Sequence, residues 1–490
     1  MMEEKSNVVL VVMDTARADF VDTQYAEKPV TPNISEIAEE GSSFSSVYST
    51  APWTLPSHAS LLTGTYPSTH CAHAGHKLLD SEHTMLQEVL AGSGYETVGV
   101  SNNVWVGPSF GFESGFEKFI KGWELLQSGT DLGGIGLTTN GREQIISIAK
   151  NIFRGNPFKN FINAVFARYY MDRELDNGAH RTNRRINSWL GSREDSKPFF
   201  LFINYLEPHL EYRPPKEYAK KFLPETVSYQ QAMNVNQNAW EYVTEQVDHS
   251  KKDFKILKSL YAAETAYLDS KIGDLIAILK ENDEWDETVF ILLGDHGENI
   301  GEHNLMDHQY CLYDTLMNVP LVTNKEQFGD SVKSDELIQL VDIAPTILDE
   351  VDIGAHNFRD QIQGYSLHNS DFGRKFVIGE YAAPQPSRDA IEERVGDPHG
   401  IMDRFDRSIR CIRNNEFKYI RGSDGETELY NIKSDPGESQ NVSNEYPEMC
   451  EQLEQQLDHW LDSINKRNVS GEVSMGKSTQ QRLEDLGYLQ

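Results

Sequence analysis

The stretch Thr288-Val-Phe-Ile-Leu-Leu-Gly294 is a continuous apolar run that leads directly into Asp295-His296-Gly297-Glu298. Such a run is too short for a buried helix, and its β-branched and aromatic residues favour a strand buried on both faces. Asn7-Val-Val-Leu-Val-Val-Met13, which leads into Asp14, has the same character. Strands of this kind alternating with helical segments predict an α/β fold whose mostly parallel sheet carries helices on both faces.

Two further runs also end in polar residues. Glu96-Thr-Val-Gly-Val100 leads to Ser101-Asn102-Asn103, and Phe199-Phe-Leu-Phe-Ile-Asn204 leads to Glu207-Pro208-His209. Ligands of open parallel sheets bind beyond the carboxyl ends of the strands. We therefore expect one site at this edge of the sheet, formed by Asp14, Asn102, His209, Asp295 and His296.

A possible nucleophile lies in the stretch Ala51-Pro-Trp-Thr-Leu-Pro-Ser-His-Ala-Ser-Leu-Leu-Thr-Gly64. Pro56 suits the first turn of a helix, and Gly64 suits its end. Thr54 would then lie at the helix N-terminus, where unpaired N–H groups favour an anion, and its hydroxyl could attack a phosphate or sulfate ester. His58, one turn later, could donate to the same anion or relay a proton. The alternative is that Thr54 is an ordinary N-cap and His58 a solvated helix residue.

Carboxylates and an imidazole that converge beside a hydroxyl indicate a divalent-cation site. We predict that Asp14, Asp295 and His296 hold one metal ion, with Thr54 as a further ligand. A metal that bridges the Thr54 hydroxyl and the substrate would lower the pKa of that hydroxyl and stabilise the transition state.

The chain resembles the sulfatase family of the alkaline phosphatase superfamily, and the resemblance spans almost its whole length. The matching blocks follow the order of that family: residues 7–17 with 31–34, 54–64, 207–209, 294–303, 341–348 and 428–438. The resemblance implies an alkaline-phosphatase-like catalytic domain over residues 1–375, with a helical insertion at about 121–185 and a lid-like segment at about 214–250. The residue pattern itself changes after about Lys375: residues 410–421 indicate a β-hairpin, 428–432 a third strand and 446–464 an amphipathic helix that would cover this antiparallel sheet. Residues 376–490 would thus form a C-terminal α+β subdomain.

Carried over by position, the resemblance implies metal binding by Asp14, Asp295, His296 and Thr54. His209 would contact the substrate oxyanion or protonate the leaving group. His308 stands near a substrate-binding lysine of many sulfatases, and His58 replaces the signature arginine. Because Asn102 follows a strand that ends at the same edge, we also expect it to join His308 in substrate binding. Because a histidine carries less fixed charge than lysine or arginine, we expect anion affinity to rise as the pH falls.

Two departures from the family pattern bear on the chemistry. Thr15 stands where many sulfatases have a second metal-binding aspartate, and Thr54 stands where they have the residue that matures to formylglycine. Superfamily members with an unmodified threonine act on phosphoesters, which favours a phosphoester over a sulfate ester here. Their second zinc uses an Asp-x-x-x-His spacing upstream of the Asp-His block, whereas the clearest such spacing here, Asp352 to His356, comes after it. We therefore expect one divalent ion, whose identity stays open among Mn²⁺, Ca²⁺, Zn²⁺ and Mg²⁺.

The composition of the chain indicates which classes of partner and which cellular location to expect. The net charge of −31 argues against nucleic acid, because phosphate backbones demand basic surfaces. A saline, halophilic cytoplasm would screen the repulsion of an anionic substrate, and an ordinary acidic enzyme is the alternative. No stretch approaches the ~20 apolar residues of a membrane span, so we expect no stable membrane insertion. The four cysteines show no paired spacing, which fits the reducing cytoplasm.

Two functions from different classes remain open on the sequence. The first is a metal-dependent hydrolase or phosphotransferase that acts through Thr54 on an anionic ester of a small molecule, a glycan or a lipid headgroup. The second is a catalytically silent, sulfatase-like binding protein for a glycan or metabolite. The retention of Asp14, His209, Asp295 and His296 together favours the enzyme.

Overall fold

The computed structural model describes residues 5–80, 82–127, 156–159, 161–163, 176–193, 197–326, 328–329, 332 and 336–464. The strands are β1 Asn7–Met13, β2 Gln24–Tyr25, β3 Lys28–Pro29, β4 Ser42–Phe44, β5 Val47–Tyr48, β6 Glu96–Ser101, β7 Lys118–Lys121, β8 Phe199–Tyr205, β9 Thr288–Gly294, β10 Asn299–Ile300, β11 Met306–Asp307, β12 Leu321–Thr323, β13 Ile338–Gln339, β14 Val377–Tyr381, β15 Ile409–Arg413, β16 Phe417–Gly422 and β17 Thr427–Asn431. The α-helices are α1 Pro32–Glu40, α2 Thr54–Thr63, α3 Pro67–His70, α4 Leu86–Gly92, α5 Ala179–Leu190, α6 Lys216–Phe222, α7 Tyr229–Met233, α8 Ala239–Val243, α9 Lys251–Glu281, α10 Asp314–Met317, α11 Ile343–Glu350, α12 His356–Arg359, α13 Arg388–Arg394 and α14 Pro447–Ser463.

The central sheet has seven strands in the order β4-β12-β9-β1-β8-β6-β7. Strand β1 pairs in parallel with β8 and β9, and β6 pairs in parallel with β7 and β8. Strand β12 is antiparallel to both of its neighbours. The mostly parallel sheet predicted from the apolar runs is confirmed, and β9, β1, β8 and β6 end side by side at one edge.

Alternate residues of β1 belong to two separate cores. Val8, Leu10 and Val12 lie in the cluster that contains Leu55 and Leu61 of α2. Val9, Val11 and Met13 lie in the cluster that contains residues of α1 and α9. Because successive side chains of a strand point to opposite faces, this division shows that helices cover both sides of the sheet. It also explains why residues 8–13 include no polar residue.

The second sheet contains β14, β15, β16 and β17 in that order, all antiparallel. Its face packs on α14 through Ile412, Tyr419 and Leu429 against Leu453 and Leu457. The hairpin, third strand and covering helix predicted from the sequence are therefore present, and β14 adds a strand that the sequence did not indicate. The sheet begins at Val377, next to the predicted start of the C-terminal subdomain, and the division into two units stays a prediction.

The structure describes only part of the predicted insertion and all of the predicted lid-like segment. Most of the predicted insertion at 121–185 lies outside the described residues. The predicted lid-like segment at 214–250 contains α6, α7 and α8, and it ends at Ser250, whose Oγ caps α9 by accepting from the Asp253 N–H at 3.3 Å. All four cysteines are free thiols. Among the described residues, none of the helices combines the length and apolar character of a membrane span.

Candidate active site and metal centre

Thr54 is the first residue of α2 and lies at the carboxyl edge of the central sheet. The preceding Trp53 is extended, and the helix ends at Gly64, whose positive φ of 67° suits a residue without a side chain. The Thr54 side chain is buried. Its Oγ1 lies 3.3 Å from His296 Nε2 and accepts from Asn103 Nδ2 at 3.3 Å. The structure thus holds this hydroxyl beside the predicted metal ligands.

Asp14, Asp295 and His296 are fully buried, and their ligand atoms lie within 4.8 Å of one another. Asp295 Oδ1 accepts from the Thr15 N–H at 3.1 Å and the His296 N–H at 2.8 Å. Asp14 Oδ2 accepts from Asn103 Nδ2 at 2.7 Å. The other carboxylate oxygens, Asp14 Oδ1 and Asp295 Oδ2, have no hydrogen-bond partner. Buried carboxylate oxygens need a compensating charge or donor, so this donor set fits a divalent cation.

Burial and the neighbouring Asp14 raise the pKa of Asp295 well above its ordinary value. The pKa of His296 is lowered by burial and by His308, which keeps this imidazole neutral. A neutral imidazole with a free lone pair can bind a metal, and a cation would remove the repulsion between the two carboxylates. His296 Nε2 lies 3.3 Å from Asp295 Oδ2 and 3.9 Å from Asp14 Oδ1, so the three groups face a common point.

His58 lies behind the nucleophile in the fully buried part of α2. Its Nδ1 donates to the Thr54 carbonyl at 2.9 Å and lies 3.3 Å from Asp295 Oδ2. Its ring meets Phe112 and Phe202 edge-on, so it is not the solvated helix residue of the alternative interpretation. Burial lowers the pKa of His58 to about 4. A neutral histidine in this place orients Thr54 and Asp295, and direct contact of His58 with a substrate stays a prediction.

His209 and His308 form the opposite wall of the site. The ring centroids of His209 and His308 are 5.1 Å apart, and those of His296 and His308 are 4.6 Å apart. His308 Nδ1 lies 2.6 Å from Asp307 Oδ1 and 3.3 Å from Glu298 Oε1. Burial lowers the pKa of His308, but the two carboxylates outweigh burial and raise this pKa well above its ordinary value. The role of His308 in substrate binding and the rise of anion affinity as the pH falls stay predictions.

Asn102 turns toward a different part of the fold. Its Oδ1 accepts from Thr182 Oγ1 of α5 at 3.0 Å. A Cβ at Gly122 would collide with the Asn102 amide, and a Cβ at Gly178 would lie in tight contact with it, so this amide fills the space between those two backbones. The predicted role of Asn102 in substrate binding stays a prediction, because its contacts are with α5 and these glycines.

Sequence reasoning missed the two amides that do contact the site. Asn103 Nδ2 joins Asp14 and Thr54, as described above, and Asn204 Nδ2 lies 3.5 Å from Asp14 Oδ2 and 3.4 Å from His58 Nε2. Both residues stood in the stretches that end β6 and β8. Their position after apolar strands was a usable signal, but the choice between Asn102 and Asn103 depends on the turn after β6.

Comparison with known proteins shows the family and the fold of the chain. The family model "Sulfatase" matches residues 6–353. An arylsulfatase of Clostridium perfringens is 25% identical over 507 residues, covering 95% of this chain and 96% of that protein. The crystal structure of a phosphonate monoester hydrolase of Agrobacterium radiobacter superposes with a TM-score of 0.67 at 18% identity, covering 94% of this chain and 96% of the other.

A further solved structure is BT4656 in complex with its substrate, D-glucosamine-2-N,6-O-disulfate. It has a TM-score of 0.64 at 17% identity and covers 94% of this chain and 98% of the other. At such identities the two structural matches establish the fold. Sulfatase-family enzymes use a metal ion, in keeping with the free carboxylate oxygens of Asp14 and Asp295.

Proposed function

We propose that this chain, which belongs to the sulfatase family, is an ester hydrolase that uses unmodified Thr54 as its nucleophile and prefers phosphoesters to sulfate esters. One observation carries the proposal. The Thr54 hydroxyl lies at the N-terminus of α2, 3.3 Å from His296 Nε2, beside two buried carboxylates that each keep one oxygen free. A hydroxyl in this position is held ready to attack an anionic ester.

In the proposed reaction, the Thr54 hydroxyl gives up its proton to solvent water and its Oγ1 attacks the phosphorus atom, while the bond to the leaving oxygen breaks. Protonated His209 gives a proton to the leaving oxygen. A water molecule then gives a proton back to His209 while its oxygen attacks the phosphothreonine, which releases phosphate and Thr54 Oγ1. Dividing one difficult displacement into two easier steps is the advantage of a covalent intermediate. A sulfothreonine lacks the decomposition route of a formylglycine enzyme, which is why we expect sulfate esters to react poorly.

Asp14, Asp295, His296 and Thr54 would hold one divalent cation in this proposal. Such a cation lowers the pKa of a bound hydroxyl and stabilises negative charge on the transferred group. The set of two carboxylates and an imidazole accepts Mn²⁺ or Zn²⁺ readily, and Ca²⁺ or Mg²⁺ remain candidates. Asn103 and the N–H groups of Thr15 and His296 hold one oxygen of each carboxylate, so the other oxygen would be available to a cation.

The substrate is proposed to be an anionic ester of a small molecule, a glycan or a lipid headgroup. The structure of BT4656 with a sulfated sugar supports a substrate of this charge for the fold. The cytoplasmic location and a saline environment are proposals that rest on the cysteines and the net charge of the chain. Transfer of the phosphoryl group to an acceptor other than water is compatible with the same intermediate.

A panel of p-nitrophenyl phosphate, bis(p-nitrophenyl) phosphate and p-nitrophenyl sulfate, each with Mn²⁺, Ca²⁺, Zn²⁺ or Mg²⁺, tests the proposal. We expect phosphoester turnover to exceed sulfate-ester turnover and Thr54→Ala to remove most of it. Mass spectrometry after acid quench should find phosphate on the Thr54 peptide. Thr63→Ser, at the other end of the same helix, is the matched control. Rapid turnover of the sulfate ester, or full activity in Thr54→Ala, would refute the proposal, and no turnover with any ester would favour a silent binding protein.

A further inference from the structure

A second group of potential metal ligands lies beside the first. It consists of Glu298, Asp307 and His308, whose ligand atoms lie within 4.8 Å of one another. All three residues are buried. From the sequence, His308 is the one member of this group with a predicted role, in substrate binding, and a single metal ion is expected.

A short hairpin after the Asp-His block assembles this group. Glu298 immediately precedes β10, and β10 pairs antiparallel with β11 so that Asn299 faces Asp307. The chain therefore returns Asp307 and the following His308 to the side of Glu298. Asp307 has a positive φ of 73°, and its Oδ1 accepts from the His308 N–H at 2.7 Å, which fixes the carboxylate beside the imidazole.

The negative charge of the buried carboxylates in the two groups favours binding of more than one cation. Asp14, Asp295, Glu298 and Asp307 are four buried carboxylates, and each lies beside a histidine. One divalent ion carries enough charge to offset two carboxylates, so an ion at Asp14 and Asp295 leaves the carboxylates of Glu298 and Asp307 without a metal cation. Uncompensated buried charge is costly, and the cost rises when an anionic ester enters the same site.

Gln309 provides a second, independent observation. Its Nε2 donates to Asp307 Oδ2 at 2.7 Å, so its amide lies against the second group. The amide is buried, and its Oε1 has no hydrogen-bond partner. An amide oxygen is a ligand that hard divalent cations accept, as are carboxylate oxygens.

We propose that Glu298, Asp307 and His308 hold a second divalent cation adjacent to the one at Asp14, Asp295 and His296. The proposal shares the first cation with the proposed function but does not depend on which ester reacts. His308 and His296 are in ring contact, so the two cations would lie in one site, where paired metals stabilise both the attacking and the leaving oxygen. In the alternative, a proton on His308 satisfies Glu298 and Asp307, and no second ion binds.

The number of bound metal ions distinguishes a second cation from a proton on His308. Chelator-dialysed protein is titrated with MnCl₂, free Mn²⁺ is followed by its electron paramagnetic resonance signal, and bound metal is confirmed by elemental analysis. We expect two equivalents in the wild type, one in Asp307→Asn and one in Asp295→Asn. Glu350→Gln is the matched control, because Glu350 pairs with His368 at 2.9 Å outside both groups, and it should keep two.

Other numbers of bound Mn²⁺ would show which part of the proposal is wrong. One equivalent in the wild type, lost in Asp295→Asn and kept in Asp307→Asn, overturns the second site and leaves the first intact. No bound Mn²⁺ at all overturns both, and two equivalents in Asp307→Asn overturns the assignment of ligands. His308→Gln is the second variant, with the same expected loss of one equivalent, and circular dichroism confirms that each variant is folded.

Discussion

Asn103→Ala should weaken metal binding although Asn103 is not itself one of the proposed ligands. Its Nδ2 donates to Asp14 Oδ2 at 2.7 Å and to Thr54 Oγ1 at 3.3 Å. A hydrogen bond to a charged group contributes about 1.5–3 kcal/mol, which corresponds to about 10- to 150-fold in an equilibrium constant. Outer partners of metal ligands contribute about 10- to 100-fold in affinity or activity. We therefore expect the affinity for Mn²⁺ at the Asp14 site to fall about 10- to 100-fold.

Isothermal titration with Mn²⁺ measures this change, and kcat for p-nitrophenyl phosphate at saturating Mn²⁺ measures what remains. Because Asn103 also orients the nucleophile, kcat should stay below that of the wild type when metal is restored. Asn102→Ala is the matched control for metal affinity, since its amide bonds to Thr182 of α5. Wild-type Mn²⁺ affinity in Asn103→Ala, or an equal loss in Asn102→Ala, would show that the contact to Asp14 does not support the metal.

Two further variants probe the leaving group and the C-terminal sheet. If His209 protonates the leaving oxygen, His209→Ala should lower the turnover of phenyl phosphate about 10²-fold more than that of p-nitrophenyl phosphate; an equal loss would indicate oxyanion binding instead, and the exposed His180→Ala is the control. Lys418→Met should destabilise the fold by about 3–5 kcal/mol, because the buried Lys418 pairs with Asp314 and Glu438 at 2.7 Å each. Urea unfolding measures this loss, and an unchanged midpoint would contradict it.

The sheet could be predicted because its strands are buried on both faces. After their first residues, Asn7 and Thr288, β1 and β9 contain no polar side chain, so the ends of these strands coincide with the ends of the apolar runs. The first polar residues after them, Asp14 and Asp295, could then be placed at one edge without knowledge of the loops. Strand β14 lacked such a run, because its Gly379 and Glu380 interrupt the apolar pattern.

The orientation of individual side chains could not be predicted in the same way. Asn102 and Asn103 are adjacent in the chain, and the turn after β6 sends one amide to α5 and the other to Thr54. The burial of His58 likewise depends on Phe112 and Phe202, which are distant in sequence. Local patterns therefore located the site, whereas the roles within it depend on contacts between distant segments.

A strongly negative chain can bind an anionic substrate, because its net charge and the charges at the site act on the substrate over different distances. At physiological salt the Debye length is about 8 Å, so the net charge of −31, spread over the whole chain, acts weakly on a substrate at the sheet edge. The charges at the edge itself act at contact distance, where screening is small. The N-terminus of α2 favours an anion there, and each bound cation adds to it. The affinity for the ester should therefore depend on the bound metal far more than on the surface charge.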